Sequence, residues 1–189
     1  MLRKTITLIG ALVLLAACGP KSAFDSLRPE KLEDLNAKYM ANARMLRKNL
    51  SGNTLQSWTN GHGTQIEYYK PNGKTYLLYP GNSKILVGDW KTVDSKEGVK
   101  VCFRYPGAYN KVTGKYTYKW NCGSGSKIFF RSSEIRKGDV LKLSTKRKLP
   151  QKLSGGGQVF IEELMPVFNP GGKLTANQAC KWLADTCTK

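Results

Sequence analysis

The chain has 189 residues, and 31 lysines and arginines stand against 13 aspartates and glutamates, a formal net charge of +18. This length suits one domain with a modest core and disfavours a multidomain architecture. The basic residues are mostly lysine, a compact hydrated charge without the planar fork of arginine. The composition therefore favours attraction to anionic polymers and membranes and disfavours bidentate recognition of one anion.

The chain begins with a short apolar stretch that ends at a cysteine. Arg3 and Lys4 precede an uncharged run from Thr5 to Ala17, which is too short to cross a bilayer core of roughly 30 Å as a helix. The closing run Leu15-Ala16-Ala17-Cys18 resembles a bacterial lipobox. The resemblance implies that residues 1–17 are a signal peptide and that the Cys18 thiol receives lipid. An ordinary signal peptide with an incidental cysteine is the alternative.

Lipid on Cys18 predicts that the protein is localised in the bacterial cell envelope. The acyl chains would anchor the protein to a membrane, with residues 18–28 as a tether. Gly19 stands where enteric lipoproteins retained in the inner membrane carry aspartate, so the resemblance favours the outer membrane. Whether the domain faces the periplasm or the cell surface stays open.

Residues 29–50 have the pattern of an amphipathic helix. Pro29 suits the first helical position, and Ser51-Gly52 is expected to end the helix. We expect the apolar stripe to pack against the following domain or a second copy of the chain, rather than to lie on a membrane. The stripe has steps of three and four: Leu32, Leu35, Tyr39, Ala43, Leu46 and Leu50.

Residues 51–170 are predicted to form a β-domain. Turn sequences such as Pro71-Asn72-Gly73 and Pro80-Gly81-Asn82 separate β-prone runs, a spacing typical of an antiparallel meander that curls into a small barrel or sandwich. The predicted strands are Gln65–Lys70, Lys74–Tyr79, Lys84–Trp90, Val99–Tyr105, Lys115–Cys122, Lys127–Arg131, Val140–Lys146 and Gln158–Leu164.

Residues 171–189 are predicted to form a C-terminal helix and a disulfide tail. Thr175 and Gln178 have the spacing of a capping box ahead of a helix over Ala176–Ala184. The predicted fold class is therefore mainly β with flanking helices (α+β): a small antiparallel meander or barrel, one N-terminal amphipathic helix and a short C-terminal helix.

Four cysteines remain once Cys18 carries lipid, and an even number in an oxidising compartment predicts two disulfides. Cys102 and Cys122 flank one predicted hairpin almost symmetrically, so we expect them to pair. Cys180 and Cys187 would form the second pair if the tail folds back after the last helix; otherwise one of them reaches the barrel cysteines. No metal or cofactor is predicted, because the spacings contain no C-x₂-C element and no histidine lies near them.

Four short motifs follow one another between residues 50 and 122. They are the run Leu50–Leu55, the aromatic run Tyr68–Gly73, Gly88-Asp89-Trp90, and the pair Cys102 and Cys122. Together they resemble a group of small exported proteobacterial lipoproteins of unknown function. The resemblance implies an antiparallel, calycin-like β-domain and brings no catalytic residues. The G-x-W step lies mid-domain here, whereas in lipocalins it opens the first strand.

The densest basic stretch runs from Lys127 to Lys152, and Lys146-Arg147-Lys148 ahead of Pro150 is predicted to be an exposed turn. The expected partners are lipid phosphates, lipopolysaccharide or acidic cell-wall polymers, whereas nucleic acid is not an expected partner. High charge that serves only solubility is the alternative. The predicted anion-binding residues are Lys142, Lys146, Arg147, Lys148 and Lys152.

No catalytic residue is predicted. His62, the only histidine, is expected at a solvated loop tip, and the adjacent Glu162 and Glu163 would point to opposite faces of a strand. Aromatic residues crowd one hairpin, where we expect alternate rings to face the core. These are Tyr105, Tyr109, Tyr116, Tyr118 and Trp120. The alternative is that basic charge beside these rings holds an anionic sugar or a lipid head group, or that the rings stack single-stranded nucleic acid.

The sequence thus predicts a non-enzymatic, lipid-anchored envelope protein whose basic β-domain binds anionic envelope material or a partner protein. The alternative is a calycin-like carrier of a small apolar ligand. A sizeable cavity inside the barrel would favour that alternative over binding at the surface.

Overall fold

A computed structural model of the protein describes residues 29–110 and 114–175. The helices are α1 (Pro29–Met40), α2 (Ala43–Leu50), α3 (Gly125–Phe130) and α4 (Ile161–Phe168). The strands are β1 (Asn53–Thr59), β2 (Gly63–Tyr69), β3 (Lys74–Leu78), β4 (Leu86–Val93), β5 (Lys100–Arg104), β6 (Ala108–Asn110), β7 (Lys115–Thr117), β8 (Asn121–Ser124) and β9 (Ser132–Lys137). The predicted signal peptide, tether, Cys18, Cys180, Cys187 and helix Ala176–Ala184 lie outside the described residues.

The predicted fold class is confirmed: seven antiparallel strands form one sheet in the order β8-β5-β4-β3-β2-β1-β9. The first five strands are a meander, and β6 and β7 form a separate hairpin. Helix α3 joins the two edge strands, and its six residues rise only about 9 Å. Because so short a helix connects opposite edges, the sheet must curl into a half-barrel.

Turn chemistry fixes the register of the meander. Gly73 adopts φ +87°, which L side chains avoid, and its amide donates to the Lys70 carbonyl at 3.0 Å within the β2–β3 turn. This confirms the predicted turn at Pro71-Asn72-Gly73.

At the sheet edge, Cys102 of β5 lies directly opposite Cys122 of β8, and the two form a disulfide. The predicted Cys102–Cys122 pair is therefore confirmed.

The predicted helix over residues 29–50 is two helices rather than one. Asn42 has extended backbone angles, and its side-chain oxygen accepts a hydrogen bond from the Met45 amide at 2.9 Å. This is an N-cap, which starts α2 anew after the break at Ala41-Asn42. The apolar periodicity continues across Ala41-Asn42, so the pattern alone predicts one continuous helix.

Three predicted strands are wrong because side chains cap local turns that periodicity does not reveal. Lys127–Arg131 lies mostly within α3, whose N-cap is Ser124. Val140–Lys146 holds a 3-10 turn, where the Asp139 carboxylate accepts from the Leu143 and Ser144 amides at 2.7 and 2.8 Å. Gln158–Leu164 contains the start of α4, where the Glu163 carboxylate accepts from the Phe160 amide at 2.7 Å.

Two apolar cores pack on opposite faces of the sheet. On the concave face, α1, α2 and α3 close one end of the half-barrel through residues that include Leu35, Leu46 and Phe129, which lie in one core with Trp90 of β4. On the convex face, α4 and the chain before it cover Ile66 and Leu78 of β2 and β3; the covering side chains include Leu141, Leu143, Leu164 and Phe168. The helices therefore close only one end of the concave face. Within residues 29–110 and 114–175, no helix is both long and apolar enough to span a bilayer.

Candidate functional site: a cavity on the concave face

The concave face that the helices leave uncovered forms a cavity of about 380 Å³. This volume lies within the range of about 300–1,000 Å³ typical of small-molecule sites. Its apolar walls come from Leu55, Tyr69, Leu77, Leu86, Phe103 and Ile128. Its polar groups include Ser57, His62, Gln65, Glu67, Asn82, Thr117 and Asn121. The cavity therefore combines an apolar body with convergent hydrogen-bonding groups.

Strand alternation explains why these residues meet. Gln65, Glu67 and Tyr69 line the cavity from β2, whereas Ile66 faces the convex core. Antiparallel register places Leu55 and Leu77 on either side of Glu67, and Leu86 opposite Leu77. One face of four neighbouring strands therefore supplies most of the floor.

Glu67 lies at the centre of this floor and accepts three hydrogen bonds from hydroxyl groups. The Tyr69 hydroxyl donates to Oε2 at 3.0 Å, and the Thr75 hydroxyl donates to Oε1 at 2.5 Å. The Tyr105 hydroxyl also donates to Oε1. Within the described residues, no ion pair involving Glu67 is present, so hydroxyl donors rather than a cation stabilise its carboxyl group.

The ionisation of this cluster is shifted by its surroundings. Burial raises the pKa of Glu67, and the hydrogen bonds from Thr75, Tyr105 and Tyr69 oppose that shift. Burial, followed by the nearby Glu67 charge, also raises the pKa values of Tyr69 and Tyr105 well above the ordinary tyrosine value. Both phenols therefore stay protonated and serve as donors at neutral pH.

Gly88 makes the Tyr105 contact possible. A Cβ at position 88 would lie 2.5 Å from the Arg104 carbonyl oxygen and 2.5 Å from the Tyr105 ring. The ring thus lies against the bare backbone of β4, and its hydroxyl extends to Glu67. The other two residues of the G-x-W step have separate roles. Asp89 pairs with Lys74 and Arg104, and the Trp90 indole donates to the Lys70 carbonyl at 3.0 Å.

Cations line one side of the cavity. Lys127 and Arg131 lie one helical turn apart at α3 and its C-terminal cap, so both are on the helix face toward the cavity. Lys119, from the segment between β7 and β8, also lines the cavity, as does Arg104, which is paired with Asp89. An anionic group on a bound molecule would find complementary charge on this side.

His62 lies in the β1–β2 turn, as predicted, but it is half-buried and lines the cavity. Its Nδ1 is 2.6 Å from the Tyr79 hydroxyl. Burial raises the Tyr79 pKa, so this phenol is a neutral hydrogen-bonding group rather than an activated nucleophile. The pair ties the turn to the end of β3.

The predicted anion-binding residues lie away from the cavity. Lys142, Lys146, Arg147, Lys148 and Lys152 belong to the segment whose leucines cover the convex face. Lys146 is half-buried, and its ammonium group lies 5.9 Å from the centre of the Phe168 ring. The other four side chains are exposed. The structure does not join these residues to the cavity, and anion binding by them stays a prediction.

The expectation that alternate aromatic rings of the hairpin face the core is wrong for three residues. The side chains of Tyr109, Tyr116 and Tyr118 are 48%, 61% and 64% exposed. The β6–β7 hairpin is a two-stranded sheet apart from the half-barrel, so it has no core of its own to cover these rings. Of this group, Tyr105 reaches the cavity floor and donates to Glu67, and Tyr109 also contributes to the cavity lining.

The roles of Glu67 and its hydroxyl donors were not predicted from the sequence. The alternation of Gln65, Glu67 and Tyr69 within an aromatic strand indicates that one carboxylate shares a face with a tyrosine. The contributions of Thr75 and Tyr105 depend on strand order and curvature, and no short motif carries them.

Within residues 29–110 and 114–175, no group of three or more His, Cys, Asp or Glu side chains is placed to hold a metal ion.

The chain matches no protein-family model, no curated protein and no solved structure. The resemblance of residues 50–122 to exported lipoproteins therefore stays a prediction, and functional inference depends on the cavity.

Proposed function

We propose that this protein is a lipid-anchored, non-enzymatic envelope protein whose half-barrel binds a small amphipathic molecule with an anionic group. The cavity of about 380 Å³ on the concave face is the observation that carries the proposal. It favours the carrier alternative over a protein that acts only through its charged surface. The anchoring part of the proposal depends on Cys18 and its lipobox.

The apolar walls would hold the hydrocarbon or ring portion of such a ligand. Leu77, Leu86 and Phe103 offer apolar surface, and burying ligand area there is worth about 25 cal/mol per Å² before the costs of association. Gln65 and Asn82 supply amide groups able to donate to or accept from a polar substituent.

The cations would select the charge of the ligand. Lys119 and Lys127 are exposed side chains at the cavity, and Glu67 is the one acidic group among its lining residues. Because these two lysines stand against one acid, a ligand carboxylate or phosphate would be attracted to the cationic side of the cavity.

The chemistry of the cavity supports binding rather than catalysis. Tyr69, Tyr79 and Tyr105 all have raised pKa values, so their hydroxyls are poor nucleophiles and bases at neutral pH. His62 contacts the Tyr79 hydroxyl. We therefore propose hydrogen-bonded retention of an unaltered ligand.

The test is binding of the anionic fluorophore ANS to the full chain, with displacement by a medium-chain fatty acid and by the alcohol of equal length. We expect saturable fluorescence and stronger displacement by the acid. The variant Gln65→Trp fills the cavity from β2, and we expect it to weaken binding about tenfold or more, equivalent to about 1.4 kcal/mol.

Val87→Trp is the matched control, because Val87 is 53% exposed on β4 of the same sheet and does not line the cavity. Equal loss of binding in both tryptophan variants would contradict the cavity as the site. Lys127→Gln should reduce the preference for acid over alcohol, while Lys148→Gln on the convex side should leave it unchanged.

A second candidate function is binding of anionic envelope polymers by the predicted basic residues. Exposure of Lys142, Arg147, Lys148 and Lys152 in one segment supports it. Saturable lipopolysaccharide binding that persists at physiological salt and is lost on substitution of these residues by glutamine would favour this candidate.

A further inference from the structure

We propose that the β6–β7 hairpin docks on the surface of an anionic lipid bilayer through an aromatic strip formed by Tyr109, Tyr116 and Tyr118. The strip is separate from the predicted basic residues of the convex side. The proposal needs neither a ligand in the cavity nor lipid on Cys18, although such an anchor would hold the domain near a bilayer.

The strip is a concentrated patch of exposed rings. Its ring centres lie 5.3 Å apart for Tyr109 and Tyr116, and 6.3 Å apart for Tyr116 and Tyr118. In the described part of the chain, the other exposed large apolar residues are Val87, Phe160 and Val167, which lie on β4 and at α4. Because clustered exposed apolar surface marks interaction sites, this strip is the surface that we assign to a partner.

The side-chain chemistry favours a membrane interface. Tyrosine has an apolar body and a polar hydroxyl, and such side chains are enriched where lipid tails meet headgroups and water. No acidic residue lies in the sequence from Tyr105 to Ser133, so no carboxylate from this segment adds negative charge beside the rings. The strip is thus suited to a surface that is partly apolar and partly wet.

Neighbouring cations indicate that the membrane surface bound by the strip is anionic. Lys119, next to Tyr118 in sequence, is exposed. The Trp120 ring follows, with the Lys91 ammonium 4.5 Å and the Arg104 guanidinium 4.9 Å from its centre. Each basic residue near an anionic bilayer contributes about 1 kcal/mol of attraction.

Charge also distinguishes the bilayer from a second copy of the chain. Two copies would each carry a formal charge of +18 and would approach with like-charged groups around the strip. An anionic bilayer instead complements Lys91 and Lys119, whereas Arg104 is already paired with Asp89. A bilayer also does not have to be complementary in shape to the three projecting rings.

The experiment is hydroxyl-radical footprinting of the full chain mixed with lipid vesicles. Mass spectrometry measures the oxidation of each side chain. Vesicles of phosphatidylglycerol and phosphatidylcholine are compared with vesicles of phosphatidylcholine alone. We expect oxidation of Tyr116 and Tyr118 to fall several-fold in the anionic vesicles. Phe160 and Val167 serve as internal controls, and their oxidation should stay unchanged.

Flotation of the same samples measures the fraction of chain bound to each lipid, and more of the chain should float with the anionic vesicles than with phosphatidylcholine alone. Equal oxidation of the strip in bound protein on both lipids would overturn the proposal. An equal fall at Tyr116 and at Phe160 would also overturn it, because it would indicate general shielding.

A charge variant and its control complete the test. Lys91→Gln combined with Lys119→Gln should restore most of the oxidation at Tyr116 and Tyr118, whereas Lys148→Gln with Lys152→Gln should not. The reverse result would place the docking surface on the convex side and refute this proposal. The cavity variant Gln65→Trp should keep the protection, so failure of the cavity proposal remains distinguishable.

Discussion

The Tyr105 hydroxyl donates a hydrogen bond to Glu67 although β3 and β4 lie between their strands in the sheet. This contact crosses the concave face and is made possible by the curl of the sheet and by the missing side chain at Gly88. It links the end of the meander to its second strand. The cavity floor therefore depends on the uncharged residues Tyr105 and Gly88 as well as on Glu67.

Gly88→Ala should destabilise the protein, because the new Cβ would clash with the Arg104 carbonyl oxygen and the Tyr105 ring, each 2.5 Å away. We expect a loss of about 1–3 kcal/mol in the free energy of unfolding, measured by urea denaturation. Gly157→Ala is the control, since a Cβ there meets nothing within 4 Å. If both variants unfold at the same urea concentration as the parent, the packing of Tyr105 on Gly88 is wrong.

Glu67→Gln should change how stability depends on pH. The folded pKa of Glu67 is raised, so between its unfolded and folded pKa values the native state holds a proton that the unfolded state has lost. The free energy of unfolding of the parent should therefore fall as pH rises through this window, and the glutamine variant should lack that component. Urea denaturation of both proteins across pH 4 to 8 measures it.

The sign of this difference is the decisive observation. Glutamine keeps an oxygen that can accept from Thr75 and Tyr105, so the variant isolates the titration from the loss of packing. A parent that gains stability relative to the variant as pH rises would contradict a raised Glu67 pKa.

Replacing Cys102 and Cys122 together by serine should lower the free energy of unfolding by about 3 kcal/mol, since the disulfide closes a loop whose ends are separated by 20 residues. The edge strand β8 pairs only with β5 in the described sheet, so its amides should exchange fastest in the variant. Urea denaturation and hydrogen exchange measure these effects. Unchanged stability together with unchanged exchange in β8 would refute this role.

Asn42→Ala should remove the N-cap of α2 and cost about 1 kcal/mol of stability, because the Met45 amide loses its acceptor. Asn42→Asp keeps an acceptor oxygen and should remain close to the parent. Thermal unfolding followed by circular dichroism compares them. If alanine is tolerated as well as aspartate, the boundary between α1 and α2 does not depend on this cap.

The sequence alone determined the features that depend on local chemistry. The turn at Pro71-Asn72-Gly73 follows from the conformational freedom of Gly73, and the end of α2 from Ser51-Gly52. Turn sequences between β-prone runs indicated an antiparallel β fold, and near-symmetry about a loop indicated the Cys102–Cys122 pair. Each of these inferences needs only residues close in the chain or a single hairpin.

Only the tertiary structure decided where a binding site lies. The apolar runs within Lys127–Arg131 and Gln158–Leu164 favour strands by propensity, but side-chain caps and burial against the sheet make them parts of α3 and α4. Glu67, Thr75 and Tyr105 are brought together by strand order and curvature, which arise from contacts between distant segments. Local patterns do not encode those contacts, so the sequence indicated a basic surface and the folded chain revealed a cavity on the other side of the sheet.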